Sequence, residues 1–238
     1  MSLPILIEKI LKTNQHPLPE LLDRESGVYT FLNPVSYLDA MEHRELFKTF
    51  DGIFADGGLL VKAIKGLYHQ QVERWSFDMG SMAPVVFRYA IEHHKRVAIV
   101  GTKHEMLEKA VATLRKTYPD LDICYYRHGY FNSEVEKDEE GKKIVGIAPD
   151  ILVVGMGIIN QEEFLLKVKH AGFQGLGFTC GGFIHQTAQN KADYYPDWIN
   201  RYGLRFLYRA WKEPHTRKRY LKAAFVFPVK FVAEKLRS

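Results

Sequence analysis

Residues 148–164 read APDILVVGMGIINQEEF, and how this stretch is read decides the fold. Ile151 to Val154 form a short apolar run with the character of a buried strand. A turn with two glycines follows, Gly155 and Gly157, and Asn160, Gln161, Glu162 and Glu163 then look like the first turn of a helix. A strand, a glycine turn and a helix in that order form the repeating unit of a parallel α/β sheet.

Outward from this stretch the same alternation recurs. VYTFL (28–32) precedes Asn33-Pro34 and a helical pattern, VSYLDAMEHRELFKTF. GIFADGG (52–58) leads into a helical run from Leu59 to Leu67. RVAIVG (96–101) reads as a buried strand before KHEMLEKAVATLRKTY, and DICYY (122–126) and QGLGFTC (174–180) are further strands. We therefore expect a mainly parallel, Rossmann-like sheet with helices on both faces over residues 1–200. Ligands bind such sheets at the carboxyl ends of the strands, so the turns after the strands carry the functional interest.

The composition is ordinary for a globular protein, 46% hydrophobic and 26% charged in 238 residues. Cys124 and Cys180 lie in separate strand-like runs, which argues against a disulfide framework and fits a reducing compartment. The N-terminal MSLPILIEKILKTNQ has Glu8 and Lys9 within its apolar stretch and reads as a helix of the fold rather than a signal peptide. Residues 201–238 carry 11 Lys and Arg against two Glu, a net +9, while residues 1–200 carry 22 against 26, a net −4. The basic segment is expected to form a helical appendage, broken near Pro214 and bent or ended at Pro228. Its uncharged run from Ala223 to Val229 is far short of the ~20 residues that span a bilayer, so a surface-lying helix is the membrane option. SEVEKDEEGKK (133–143) reads as a solvated helix end or loop.

Three strand-end turns offer glycine, at Gly57-Gly58, Gly101 and Gly155-x-Gly157, where a ligand can approach backbone. None matches a dinucleotide or P-loop fingerprint. Asp56 in FADGG has room to act as a general base, with a turn or helix-capping role as the competing reading. Asp120-x-Asp122 lies before a strand, away from the expected ligand edge, and reads as loop acids rather than a metal site. His185 reads as a structural histidine before a catalytic one.

Taken together, APDILVVGMGIINQEEF, RHGYF (127–131), FADGG, FLNP and the basic GLRFLYRAWKEPHTRKRYL resemble, in order, the segments of the WecG/TagA/CpsF glycosyltransferase family. The resemblance covers about Val28 to Leu221. It implies an inverting enzyme that needs neither metal nor other cofactor. Such an enzyme moves N-acetylmannosamine, its uronic acid or a related hexose from a UDP-sugar to a polyprenyl-diphosphate-linked sugar, at the cytoplasmic membrane face, for surface polysaccharide. By the same resemblance Asp56 is the base and Asn33 is a substrate-contacting asparagine grouped with it as catalytic. The resemblance matches Arg74, Asp78 and Gln161 to substrate-binding positions, and Gly101, Thr102, Gly129, Tyr130, Gly155 and Gly157 at the strand-end turns are expected to bind substrate with them. Arg209, Arg217 and Arg219 reach the lipid-diphosphate acceptor and an anionic membrane surface.

The sequence departs from the family pattern at Phe31, at Ile159-Asn160 in place of Pro-Lys, and at His185 in place of Asp. An alternative is a catalytically altered relative that binds nucleotide-sugar or scaffolds a polysaccharide complex. The basic tail alone also suits nucleic acid, but no RRM, KH or helix-turn-helix signature accompanies it, and no nucleic-acid partner is expected. A homo-oligomer is compatible with this reading.

Overall fold

The computed structural model describes residues 3–189 and 217–237. The chain runs through α1 (Ile5–Asn14), α2 (Leu18–Leu22), β1 (Gly27–Leu32), α3 (Pro34–Glu42), α4 (Arg44–Lys48) and β2 (Gly52–Ala55). It continues with α5 (Gly58–Tyr68), α6 (Met82–Glu92), β3 (Val97–Gly101), α7 (His104–Thr117), β4 (Ile123–Arg127) and α8 (Glu134–Ile147). It closes with β5 (Ile151–Gly155), α9 (Asn160–His170), β6 (Leu176–Thr179), α10 (Phe183–Ala188) and a final helix, α11 (Arg217–Arg237).

Six strands form one all-parallel sheet in the order β2-β1-β6-β5-β3-β4. Both faces are covered, which is why the strands read as continuous apolar runs rather than alternating ones. Tyr29, Ile99, Ile151, Val153 and Phe178 point to a core shared with α6, α7 and α10. Their sequence neighbours Val28, Ala98, Val100, Leu152 and Val154 point the other way, against α8 and α9. Leu32, Ile53 and Ala55 meet α1, α3, α5 and α11 on that same second face. The chain leaves β5 for β6 on one side and β3 for β4 on the other. Opposite departures from neighbouring strands make the β3–β5 crevice the topological switch point.

Three expectations need correction. VSYLDAMEHRELFKTF is two helices, because His43 (φ −124°, ψ 38°) leaves the helical region between α3 and α4. The 133–143 charge run is the N-terminal part of α8, the helix-end alternative, but it is not solvated throughout: Glu140 is buried against Arg127 and Tyr125. Helix α11 runs through Pro228, so of the expected bend or end the end is ruled out, and the expected break near Pro214 lies outside the described residues.

Helix α11 has two apolar faces. Ala223, Phe227 and Phe231 are buried against the body, with both rings edge-on to Tyr37. Glu234 is buried there too, accepting from Tyr37 Oη at 2.8 Å and Arg44 Nη2 at 2.9 Å. Burial, reinforced by that carboxylate, pushes the Tyr37 hydroxyl well above its usual pKa. On the opposite face Leu221, Phe225, Val229, Val232 and Leu236 are exposed. No helix among the described residues is long and apolar enough to cross a membrane.

Candidate functional site

Parallel pairing puts the strand ends, and the residues just past them, side by side. Leu32 of β1 is in register with Ala55 of β2, and the Asp56 N–H donates to Leu32 O at 2.7 Å. Asn33 and Asp56 therefore leave the sheet as neighbours. Asn33 is the N-cap of α3: its Oδ1 accepts from the Val35 and Ser36 N–H groups, and Ser36 Oγ accepts from the Asn33 N–H. With that oxygen engaged, Asn33 has its amide NH2 to offer a ligand. The N-cap of α5 is Gly57 (φ +88°), with no side chain capping the helix. Asp56 therefore stands one residue before the cap position of α5. Arg74 pairs with Ala55 as an isolated parallel bridge, and the Trp75 N–H donates to Ala55 O at 3.1 Å. A guanidinium-bearing segment thus runs along the strand that presents Asp56. Asp78 accepts from Ser76 Oγ at 2.6 Å and from the Gly80 N–H at 2.9 Å, ordering the turn before α6.

Beneath this surface lies a buried polar network joining β1, β6 and α9. Thr30 and Thr179, paired at 2.8 Å between their hydroxyls, meet Glu162, whose Oε1 accepts from Thr30 Oγ1 at 2.9 Å and Gln161 Nε2 at 2.8 Å. Glu162 Oε2 accepts from the Ile159 N–H at 2.6 Å, and Gln161 Oε1 accepts from the Gly181 N–H at 3.1 Å. Glu162 is wholly buried. Desolvation raises its pKa to about 7, against the pull of its donors. Ile159 sits at φ +72°, ψ −57°. This is the γ-turn region, which costs a β-branched residue on the order of 1–3 kcal/mol. Proline, held near φ −65°, cannot adopt it, so the turn here is not the one the Pro-Lys form of the segment implies.

The glycines divide into two sets. A Cβ on Gly101 would lie 2.2 Å from Gly155 O, one on Gly129 would lie 2.9 Å from Gly101 Cα, and one on Gly155 would lie 2.7 Å from Cys180 Sγ. These three are glycine because backbone and side chains already fill the space. Gly157 (φ +81°) and Gly181 (φ +52°) have nothing within 4 Å of that point, and Gly57 has only Asn33 Cβ at 3.9 Å. Thr102 adopts φ +50°; its N–H donates to Gly155 O and its carbonyl accepts from the Gly129 N–H, closing the β3–β5 crevice. Tyr130 is exposed at the end of β4. The loop that carries it is held by Arg127, which pairs with Glu136 at 2.5 Å and Glu140 at 3.2 Å and lies over the Phe131 ring.

His185 is exposed on α10, with its Nε2 2.8 Å from Gln189 Nε2. Asp120 and Asp122 precede β4, at the opposite end of the sheet from the strand C-termini. No group of three or more His, Cys, Asp or Glu is gathered as for a metal among the described residues. A surface depression between α8 and α9, lined by Asp138, Lys142, Glu163 and Lys167, also lies apart from the strand ends. Arg217 is exposed at the start of α11, the side chain of Arg219 lies outside the described residues, and so does Arg209.

Asp56, Asn33, Arg74, Gly101, Thr102, Gly129, Tyr130, Gly155, Gly157 and Gln161 all fall at one edge of the sheet. Asp78 follows Arg74 into α6. Sequence reasoning missed Glu162, Thr30 and Thr179. Thr30 and Thr179 are polar interruptions of apolar strands, a signal that was present, whereas Glu162 looked like an ordinary first-turn acid.

Comparison with known proteins extends this picture. The model of the Glycosyl transferase WecG/TagA/CpsF family matches residues 9–238. The UDP-Gal:alpha-D-GlcNAc-diphosphoundecaprenol beta-1,4-galactosyltransferase of Shigella boydii is 38% identical over 213 residues, 90% of this chain and 89% of that protein. The N-acetylglucosaminyldiphosphoundecaprenol N-acetyl-beta-D-mannosaminyltransferase of Staphylococcus aureus is 27% identical over 173 residues, 71% of this chain and 65% of that protein. The chain belongs to the WecG/TagA/CpsF family and is a glycosyltransferase.

Proposed function

We propose that this enzyme transfers a hexose, galactose first among the candidates, from its UDP-sugar to a polyprenyl-diphosphate-linked N-acetylglucosamine, with inversion and without a metal. The donor preference leans on the Shigella boydii galactosyltransferase, which is more similar to this chain than the mannosaminyltransferase. Galactose is α-linked in its nucleotide donor, so a β-linked product such as that protein's name states requires inversion at C1.

The observation that carries the reading is the adjacency of Asp56, Asn33 and the Arg74 segment at the ends of β1 and β2. In the proposed reaction an acceptor hydroxyl attacks C1 of the sugar while UDP leaves from the opposite face. Asp56 takes the hydroxyl proton, and the bond between C1 and the diphosphate oxygen breaks with its electrons on the diphosphate. Arg74 and N–H groups of the open turn at Gly157 offset the developing charge. Gln161, held at the same edge, offers its remaining amide hydrogen to the donor.

The exposed stripe Leu221, Phe225, Val229, Val232 and Leu236, flanked by Arg217, Lys222 and Arg237, lies on the surface of the acceptor's membrane in this reading. A second copy of this chain is the competing occupant, to be separated by sedimentation without lipid.

The test is a screen of UDP-sugars against a polyprenyl-diphosphate N-acetylglucosamine acceptor, with and without a chelator. UDP release that requires acceptor and persists with chelator is expected. No release from any UDP-sugar would overturn the reading.

A further inference from the structure

We propose that Glu162 is the positioning residue of this site, acting through Gln161 and the Gly155–Asn160 turn to hold the ends of β1, β5 and β6 in one arrangement. The functional part of this inference rests on the glycosyl-transfer reading; the hydrogen-bond part does not.

The argument is one of donors and acceptors. Three donors converge on this carboxylate: the Thr30 hydroxyl and the Gln161 amide on Oε1, and the Ile159 N–H on Oε2. Two of them, the amide and the backbone N–H, cannot act as acceptors, and they sit on different oxygens. Only a group with two acceptor oxygens satisfies both. An amide at this position would set its own NH2 against one of the two donors, whichever way it was turned.

Each bond has a consequence at the surface. The Ile159 bond holds a backbone conformation that isoleucine does not adopt unaided, and it shapes the turn carrying Gly157. The Gln161 bond decides which end of that side chain faces which neighbour. With Nε2 committed to Glu162, Oε1 is committed to the Gly181 N–H, and the turn after β6 is tied to the turn after β5. The Thr30–Thr179 pair extends the tie to β1, three residues before Asn33. A wholly buried acid with a raised pKa is costly to keep, and here every oxygen has a partner at the candidate site.

The test pairs Glu162→Gln with amide hydrogen exchange and steady-state kinetics on the full chain. In Glu162→Gln, exchange at the Ile159 and Gly181 amides is expected to quicken about tenfold or more, while the global unfolding midpoint at pH 8 changes little. Transfer is expected to fall on the order of 10²-fold, more in kcat than in KM. Combined with Gln161→Ala, Glu162→Gln should cost clearly less than it does alone, because the path through Gln161 is already cut. Unchanged exchange at both amides overturns the proposal, as does wild-type kcat/KM in the variant or full additivity of the two substitutions. If Glu162→Gln does not fold, Gln161→Ala decides: Gly181 exchange should rise while Ile159 stays protected, and an unchanged Gly181 overturns the proposal. A wild-type enzyme inactive with every UDP-sugar defeats the glycosyl-transfer reading, while the exchange rates still judge the role of Glu162.

Discussion

The two halves of the sheet's carboxyl edge are built on different principles. At the ends of β3, β4 and β5 the chain presents Gly101, Gly129 and Gly155, and each is closed by neighbours that leave no room for a methyl group. At the ends of β1, β2 and β6 it presents Asp56, Asn33 and the Thr30–Thr179–Glu162 network, and Asn33, Thr30, Thr179 and Glu162 are held by named donors and acceptors. Glycine at a strand end is therefore no sign of a ligand cradle by itself. The glycines with open space, Gly57, Gly157 and Gly181, border the polar half or the turn that Glu162 holds.

The largest expected effect falls on the polar half. Asp56→Asn should lower the transfer rate by ~10²–10⁴-fold while the unfolding midpoint stays near that of the parent, because a general base is lost and a neutral isostere remains. Single-turnover transfer together with a thermal melt checks this. Equal rates would break the contrast by removing the chemistry from that half.

Glu162 sharpens the contrast through pH. Its pKa rises from about 4.5 unfolded to about 7 folded, so between these values the folded state binds more protons than the unfolded one. Stability contributed by this group is accordingly greatest below pH 4.5, declines as pH climbs to 7 and is level above. The total is at most about 3 kcal/mol. Denaturant titrations of the parent and Glu162→Gln at pH 5 and pH 8 should show that the substitution flattens the slope.

The closed half should fail sterically. Gly101→Ala drives a Cβ into Gly155 O and is expected to cost about 3 kcal/mol, while Gly157→Ala, in open space but at positive φ, should cost about 1 kcal/mol. Urea unfolding measures both, and equal costs would erase the distinction between filled and open glycines. The smallest effect on stability belongs to α11. Phe225→Ser on the outer face should leave stability within about 0.5 kcal/mol yet reduce recovery with anionic vesicles in flotation.

The fold was legible because apolar runs and helical patterns alternate, and each expected strand lies within a residue or two of an observed one, although α6, the second helix between β2 and β3, was not read. Legibility failed where the deciding term was not local. His43 interrupts a pattern that remains apolar at helical spacing on both sides. Pro228 sits inside α11, whose burial against Tyr37 and α3 outweighs a local helix breaker. Glu136 and Glu140 looked like a solvated charge run because nothing near them in sequence announces Arg127 as their partner.

By itself the sequence determined a parallel α/β sheet, its family, and the set of residues that leave the strand ends, since those follow from local periodicity and motif order. Only the tertiary structure decided which glycines are filled and which are open, and that Asp56 stands beside Asn33 and Arg74. It also decided that a first-turn glutamate lies at the centre of the polar network. Thr30 and Glu162 are separated by 132 positions and meet at 2.9 Å. Contacts of that range arise from packing strands and helices together, which no window of sequence encodes.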